Sequence, residues 1–391
     1  MTASLHKLTA GSGYDYLTRQ VAAQDSTEKG HASLTSYYTE KGEVPGRWVG
    51  TGLEALEMAP GSAVSEVQMR ALFGAGFHPD MEARLAALPA DATPAQIRQA
   101  ARLGSPFQVR TAATVFQQEV AVRCSQWAAA NGLGSDGTVP VDVRAGIRNE
   151  LASASFEARM GRAPSGLELS SEVATLTRNP TIACAGYDVT FTPVKSVSAL
   201  WAVAPQEVAA QIEEAHNAAV ADALRYLEER VLFSRRGHGG VRQVEVTGLV
   251  AAAFTHRDSR AGDPNLHTHV AVANKVQTLD GAWLAVDGRP LHAGMVSISE
   301  VYNTALEAHL VARLGVRFAV DTARDAGKRV VREIVGVPAR LREAWSSRRA
   351  AIEARQAELA VDFQHAHGRP PTPAEAIALA QQATLETRQA K

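Results

Sequence analysis

Phe254-Thr-His-Arg-Asp-Ser-Arg-Ala-Gly-Asp-Pro-Asn-Leu-His-Thr-His269 carries His256, then ten residues, then His267 and His269. Side chains at i and i+2 of a strand share a face, so His267 and His269 point the same way. Residues 241–256 and 267–276 are rich in β-formers. Between them the breaker-rich stretch 257–266, with Gly262-Asp263-Pro264, reads as a hairpin connection. The chain then returns antiparallel and sets His256 across from His267. Three imidazoles converging on one sheet face form a metal site. Three nitrogen donors leave coordination positions open, as catalytic sites do and structural ones do not.

Tyr187-Asp-Val-Thr-Phe191 alternates and is β-branched, so it reads as a further strand. Asp188 at its centre is a candidate acceptor for the N–H of a ligating histidine. Residues 206–227 place Val208, Ile212, Ala215, Ala219 and Leu227 at helical spacing. Residues 283–286 suggest a short strand and 297–314 a helix. The Ala-rich stretch 61–180 reads as mainly helical, with one clear start at Thr93-Pro94-Ala95-Gln96. Beyond 320 the chain is basic and helical, with a second capping box from Thr372 to Glu375. The expected fold class is α+β: a central antiparallel sheet carrying the histidines, flanked by helices, with a helical insertion and a basic helical end. The divisions expected are 1–60, 61–180 (insertion), 181–320 (core) and 321–391.

Of 391 residues, 46% are hydrophobic and 21% charged, with a net charge of −1. That balance belongs to a globular chain and excludes a disordered one. Cys124 and Cys184 are too few for a disulfide framework, which implies a reducing compartment. No stretch reaches the ~18 apolar residues of a membrane span, and the start lacks the apolar core of a secretory signal. A cytoplasmic protein is expected. No GxxxxGK[ST] is present, so no P-loop is expected. Near-neutrality hides a division: residues 51–93 hold six acids and two bases, and residues 313–349 hold ten bases and four acids. Such asymmetry suits either a basic groove or solvated helix faces.

The histidine segment resembles the three-histidine motif of conjugative relaxases of the TraI/TrwC (MOB-F) family, within the HUH endonucleases. Tyr187-Asp-Val-Thr-Phe-Thr-Pro-Val-Lys-Ser-Val-Ser198 is similar to that family's strand-and-turn segment. Tyr37-Tyr38 followed by Arg47-Trp48-Val-Gly-Thr-Gly52 is similar to its N-terminal region. The resemblance covers 1–60 and 185–391. Members usually continue into a helicase or primase half, which leaves open whether this chain is part of a longer protein.

The resemblance implies nicking of one DNA strand at a plasmid transfer origin by metal-assisted attack of a tyrosine. The products would be a 5′-phosphotyrosyl adduct and a free 3′-OH. Candidate nucleophiles are Tyr16 first, then Tyr14, Tyr37 and Tyr38. Tyr14-Asp15-Tyr16 stands where the family has an adjacent pair. The ligands would be His256, His267 and His269 on one divalent ion, Mg or Mn by resemblance, whereas three imidazoles favour Zn, Ni or Co. Lys195, Arg257, Arg260 and the Arg-rich helices after 313 would follow a DNA backbone. Trp48 would stack on a base, with a buried core position as the alternative. Expected partners are single-stranded DNA at a transfer origin and other relaxosome and coupling proteins. Alternatives are an HUH rolling-circle replication initiator, a three-histidine hydrolase using bound hydroxide, and a DNA-binding module without catalysis.

Overall fold

The computed structural model describes residues 3–19, 45–108, 115–132, 139–177, 183–259, 261–321 and 330–387. They form two compact units, one of residues 1–107 and 184–391, the other of residues 108–183. The first is built on a five-stranded sheet of β1 (Ala3–Thr9), β2 (Arg47–Val49), β3 (Cys184–Phe191), β4 (Ala251–Asp258) and β5 (Pro264–Ala273). The strand order is β1-β3-β5-β4-β2, with every neighbour antiparallel. The α+β reading holds.

Alternation along these strands gives the sheet two faces. On one, Val189, Phe191, Val270, Val272, Ala251 and Ala253 are buried together with two long helices. These helices follow α1 (Asp15–Arg19) and α2 (Lys195–Val203) and are α3 (Gln206–Arg230) and α4 (Gly288–Leu314). α3 presents Ile212, Ala215, Ala219, Ala223 and Leu227, a 3.6-residue stripe. The sequence placed the start of α4 at 297, but it begins at Gly288. Asp287 accepts the Arg289 N–H at 3.2 Å as a cap, and Pro290 is tolerated in the first turn.

The other face bears the histidines, with Trp48, Phe254 and Gly186 on the same side by register. Phe73 reaches Gly186: a Cβ there would lie 3.1 Å from the Phe73 ring and 2.2 Å from the Val272 carbonyl, so glycine is required. Residues 61–107, expected within the helical insertion, cluster with the sheet unit. Met69, Leu72 and Phe73 are fully buried, which ties that stretch into the core. The unit of residues 108–183 has its own core of Phe116, Val120 and Cys124 on the helix Val115–Ala130 and Leu151 and Ala152 on Val141–Met160, with Leu169 and Val173 of a third helix, Gly166–Leu176, packed against it.

The hairpin joining β4 and β5 is tighter than the ten residues expected. Pairing continues through a bulge after His256 to Asp258 opposite Pro264, leaving residues 259–263 as the loop. Ser259 Oγ accepts the N–H groups of Ala261 and Asp263, each at 3.2 Å, and Gly262 supplies a positive φ of 77°. Toward the end of the chain lie α5 (Ser347–His367) and α6 (Pro373–Glu386). Both capping boxes read from the sequence, at Thr93 and Thr372, are formed. Among the described residues no helix is long and apolar enough to cross a membrane.

Candidate metal centre and active site

β4 and β5 bring His256 and His267 directly opposite one another, and His269 follows two residues on. One ring nitrogen from each lies within 4.8 Å of the others. Ring centroids are 5.2–5.4 Å apart. Two of the rings are oriented through Nδ1. His267 Nδ1–H donates to the Asn265 carbonyl at 2.7 Å, and His269 Nδ1–H donates to Asp188 at 2.8 Å. With Nδ1 occupied, Nε2 is the nitrogen left for a cation. Burial, reinforced by the neighbouring His269, pushes the His267 pKa down to about 4, so its ring is neutral near pH 7 and suited to ligation. The donor set therefore fits a borderline-soft divalent ion.

Asp188, 1% exposed, lies on the same sheet face through β3. Besides His269, its carboxylate accepts the hydroxyl of Tyr16 in a short contact. The Tyr16 ring stands edge-on to His269 at 6.1 Å. Burial, then the Asp188 charge, hold the Tyr16 hydroxyl far above its usual pKa, so it is protonated near pH 7. Thr190, two residues along the same face, donates to Asp188 at 3.3 Å and lies 3.1 Å from His269 Nδ1. The sequence reading missed Thr190, although the i, i+2 spacing from Asp188 marked it.

The first turn of α1 separates the tyrosines. Tyr14 is 5% exposed and packs on Phe73, with ring centroids 6.3 Å apart, and Leu17 is fully buried. Tyr16 is left on the metal side. The structure thus places Tyr14 in the core against Phe73 and Tyr16 against Asp188. Tyr37, Tyr38 and Arg260 lie outside the described residues.

The described side chains expected to contact DNA each have partners within the chain. Trp48 is fully buried, its indole N–H donating to Gln68 at 3.1 Å, so its ring is core and offers no stacking surface. Arg257 forms a two-pronged pair with Glu213 at 2.9 and 2.8 Å. Lys195 is half-buried and its ammonium donates to the Pro264 carbonyl at 2.7 Å. In the basic C-terminal part Arg342, Arg349, Arg355 and Arg369 are ion-paired to acids of the same region.

Comparison with known proteins matches the TrwC relaxase family over residues 10–391. The multifunctional conjugation protein TraI of Escherichia coli is 34% identical over 203 residues, 49% of this chain and only 10% of TraI. A solved structure of TrwC with a 27-mer DNA comprising the recognition hairpin and the cleavage site superposes with a TM-score of 0.53 at 21% identity, covering 100% of this chain and 91% of the other. A metal-bound structure of the conjugative relaxase TrwC with oriT DNA gives 0.50 at 20% identity, with the same coverages. The superpositions establish a shared fold. Matched over all but its first nine residues, this chain belongs to the TrwC relaxase family.

Proposed function

We propose that this chain nicks one strand of DNA at a plasmid transfer origin by transesterification onto Tyr16, as the relaxase part of a conjugation protein. The observation that carries the reading is one carboxylate, Asp188, bonded both to the Tyr16 hydroxyl and to one of three clustered imidazoles. Nucleophile, base and cation site thus share a few ångströms, which a hydroxide-using hydrolase does not need.

Asp188 takes the Tyr16 proton as Tyr16 Oη bonds to the scissile phosphorus. The bond from phosphorus to the 3′ oxygen breaks, and that oxygen leaves as a 3′-OH after protonation from solvent. The product is a 5′-phosphotyrosyl bond, and attack by another 3′-OH reverses the step. His256, His267 and His269 would hold one divalent ion, which when bound polarises the scissile phosphate and offsets its developing charge. Imidazole donors favour Zn, Ni or Co; family resemblance favours Mg or Mn. The metal-bound, oriT-bound TrwC structures support both a metal and a DNA partner for this chain. Relaxosome and coupling proteins would be further partners, and work on plasmid DNA requires the cytoplasm.

The test is incubation of the metal-loaded protein with scissile single-stranded oligonucleotides labelled at either end. The expected product is a denaturation-resistant adduct on the 3′ fragment, mapped to Tyr16, with strand transfer to an added 3′-OH oligonucleotide. Cleavage without any protein–DNA bond would establish the hydrolase instead.

A further inference from the structure

We propose that Lys195 and Ser198, one helical turn apart on α2, are positioning residues for the metal ligand His267. His267 Nδ1–H donates to the Asn265 carbonyl at 2.7 Å. That carbonyl shares one peptide group with the Leu266 N–H, and the Leu266 N–H donates to Ser198 Oγ at 3.2 Å in a buried contact. Ser198 is itself fully buried. The preceding carbonyl, of Pro264, accepts from the Lys195 ammonium at 2.7 Å. α2 therefore grips two consecutive peptide groups, and the second sets the tautomer and rotation of the His267 ring.

The arrangement has an electronic side. Accepting at the N–H end of a peptide polarises its carbonyl, strengthening the next hydrogen bond in the chain by ~10–30%. Ser198 thus makes the Asn265 carbonyl a better acceptor and the His267 ring a better donor through Nε2. Pro264, opposite Asp258 in the ladder, has no N–H to donate, so the contact from α2 is made to its carbonyl. Lys195 and Ser198 of the run Lys195-Ser196-Val197-Ser198 thus grip the histidine hairpin.

The inference rests on the three imidazoles binding an ion, but its first readouts use metal-free protein. Ring nitrogens of His267 and amide exchange at Leu266 would be followed by NMR in the parent, S198A, K195M and K195R. In S198A the Leu266 amide should exchange at least about tenfold faster, and His267 should populate the Nε2–H tautomer. K195M should move both in the same direction, and K195R should stay near the parent. Zinc affinity should fall about 10–100-fold in S198A and K195M. Unchanged His267 tautomer and Leu266 exchange in both variants would overturn the proposal, as would faster exchange spread evenly over all five strands. If S198A does not fold, K195M against K195R decides. Should even the parent bind no ion, the metal reading falls while these two readouts still decide this one.

Discussion

Asp188 holds the Tyr16 hydroxyl and the His269 N–H on one carboxylate, and these two contacts can be separated by substitution. Tyr16→Phe removes the proposed nucleophile but leaves the Asp188–His269 contact, so it should abolish the DNA adduct with metal affinity at the parent value. Asp188→Asn removes the proposed base and the anionic acceptor for His269 together. Single-turnover cleavage should fall by about 10²–10⁴-fold, and calorimetry should show metal binding weakened by about 10–100-fold. An Asp188→Asn protein that cleaves at the parent rate would leave Tyr16 without its base. Trp48 carries a different expectation. Trp48→Ala should cost about 3–5 kcal/mol of stability without altering the salt dependence of DNA binding at temperatures where it stays folded.

At the level of elements, the site depends on strand register, because a one-residue slip of β5 would turn His267 and His269 to the helix face, away from His256 on β4. Between His267 and His269, Thr268 faces the helices, where its hydroxyl meets His216 Nε2 at 2.8 Å and Thr255 at 2.9 Å. His216 Nδ1 lies 2.8 Å from the Tyr302 hydroxyl, so the network pins β5 to α3 and α4. Burial, with a lesser contribution from His267, pushes the His216 pKa down to about 3 from an ordinary 6.5. In the unfolded chain the ring takes up its proton nearer 6.5. Between those values the unfolded state binds more protons, so stability is constant above about pH 6.5 and falls as pH drops toward 3. His267, at about 4, adds the same sign in metal-free protein. Denaturant titrations at pH 7.5 and pH 5 should show this loss, and His216→Gln should reduce it; equal losses in parent and variant would exclude His216 as a source.

The histidine register, the β3 strand and both capping boxes were legible because each is written in a pattern under about fifteen residues long. The His216–Thr268 and His216–Tyr302 contacts span 52 and 86 residues, and nothing local in the sequence announces them. The same limit hid the partners of Lys195, Arg257 and Trp48. Residue type suggested DNA, whereas partners distant in sequence had already taken each side chain. Tyr16 and Tyr14 likewise differ only by what lies against them, Asp188 for one and Phe73 for the other.

At the scale of the whole molecule, the unit of residues 108–183 poses a separable question. Its seven arginines are matched by seven acids, so it lacks the positive excess that phosphate binding requires. It has its own apolar core, and an ion pair at 2.7 Å joins Arg159 to the buried Glu172 between two of its helices. The Ala183 N–H donates to the Gln108 carbonyl at 3.3 Å, so the chain enters and leaves the unit at adjacent points. A segment whose ends meet can be removed without stretching what remains, as with insertions tolerated at close termini. Replacing residues 109–182 by a short Gly-Ser bridge should therefore leave the sheet unit folded, with parent metal affinity and with adduct formation within about threefold of the parent rate. Circular dichroism, zinc titration and the oligonucleotide assay check the three parts. Retained folding with DNA affinity lowered more than about tenfold would instead make this unit part of the DNA-binding surface despite its neutrality.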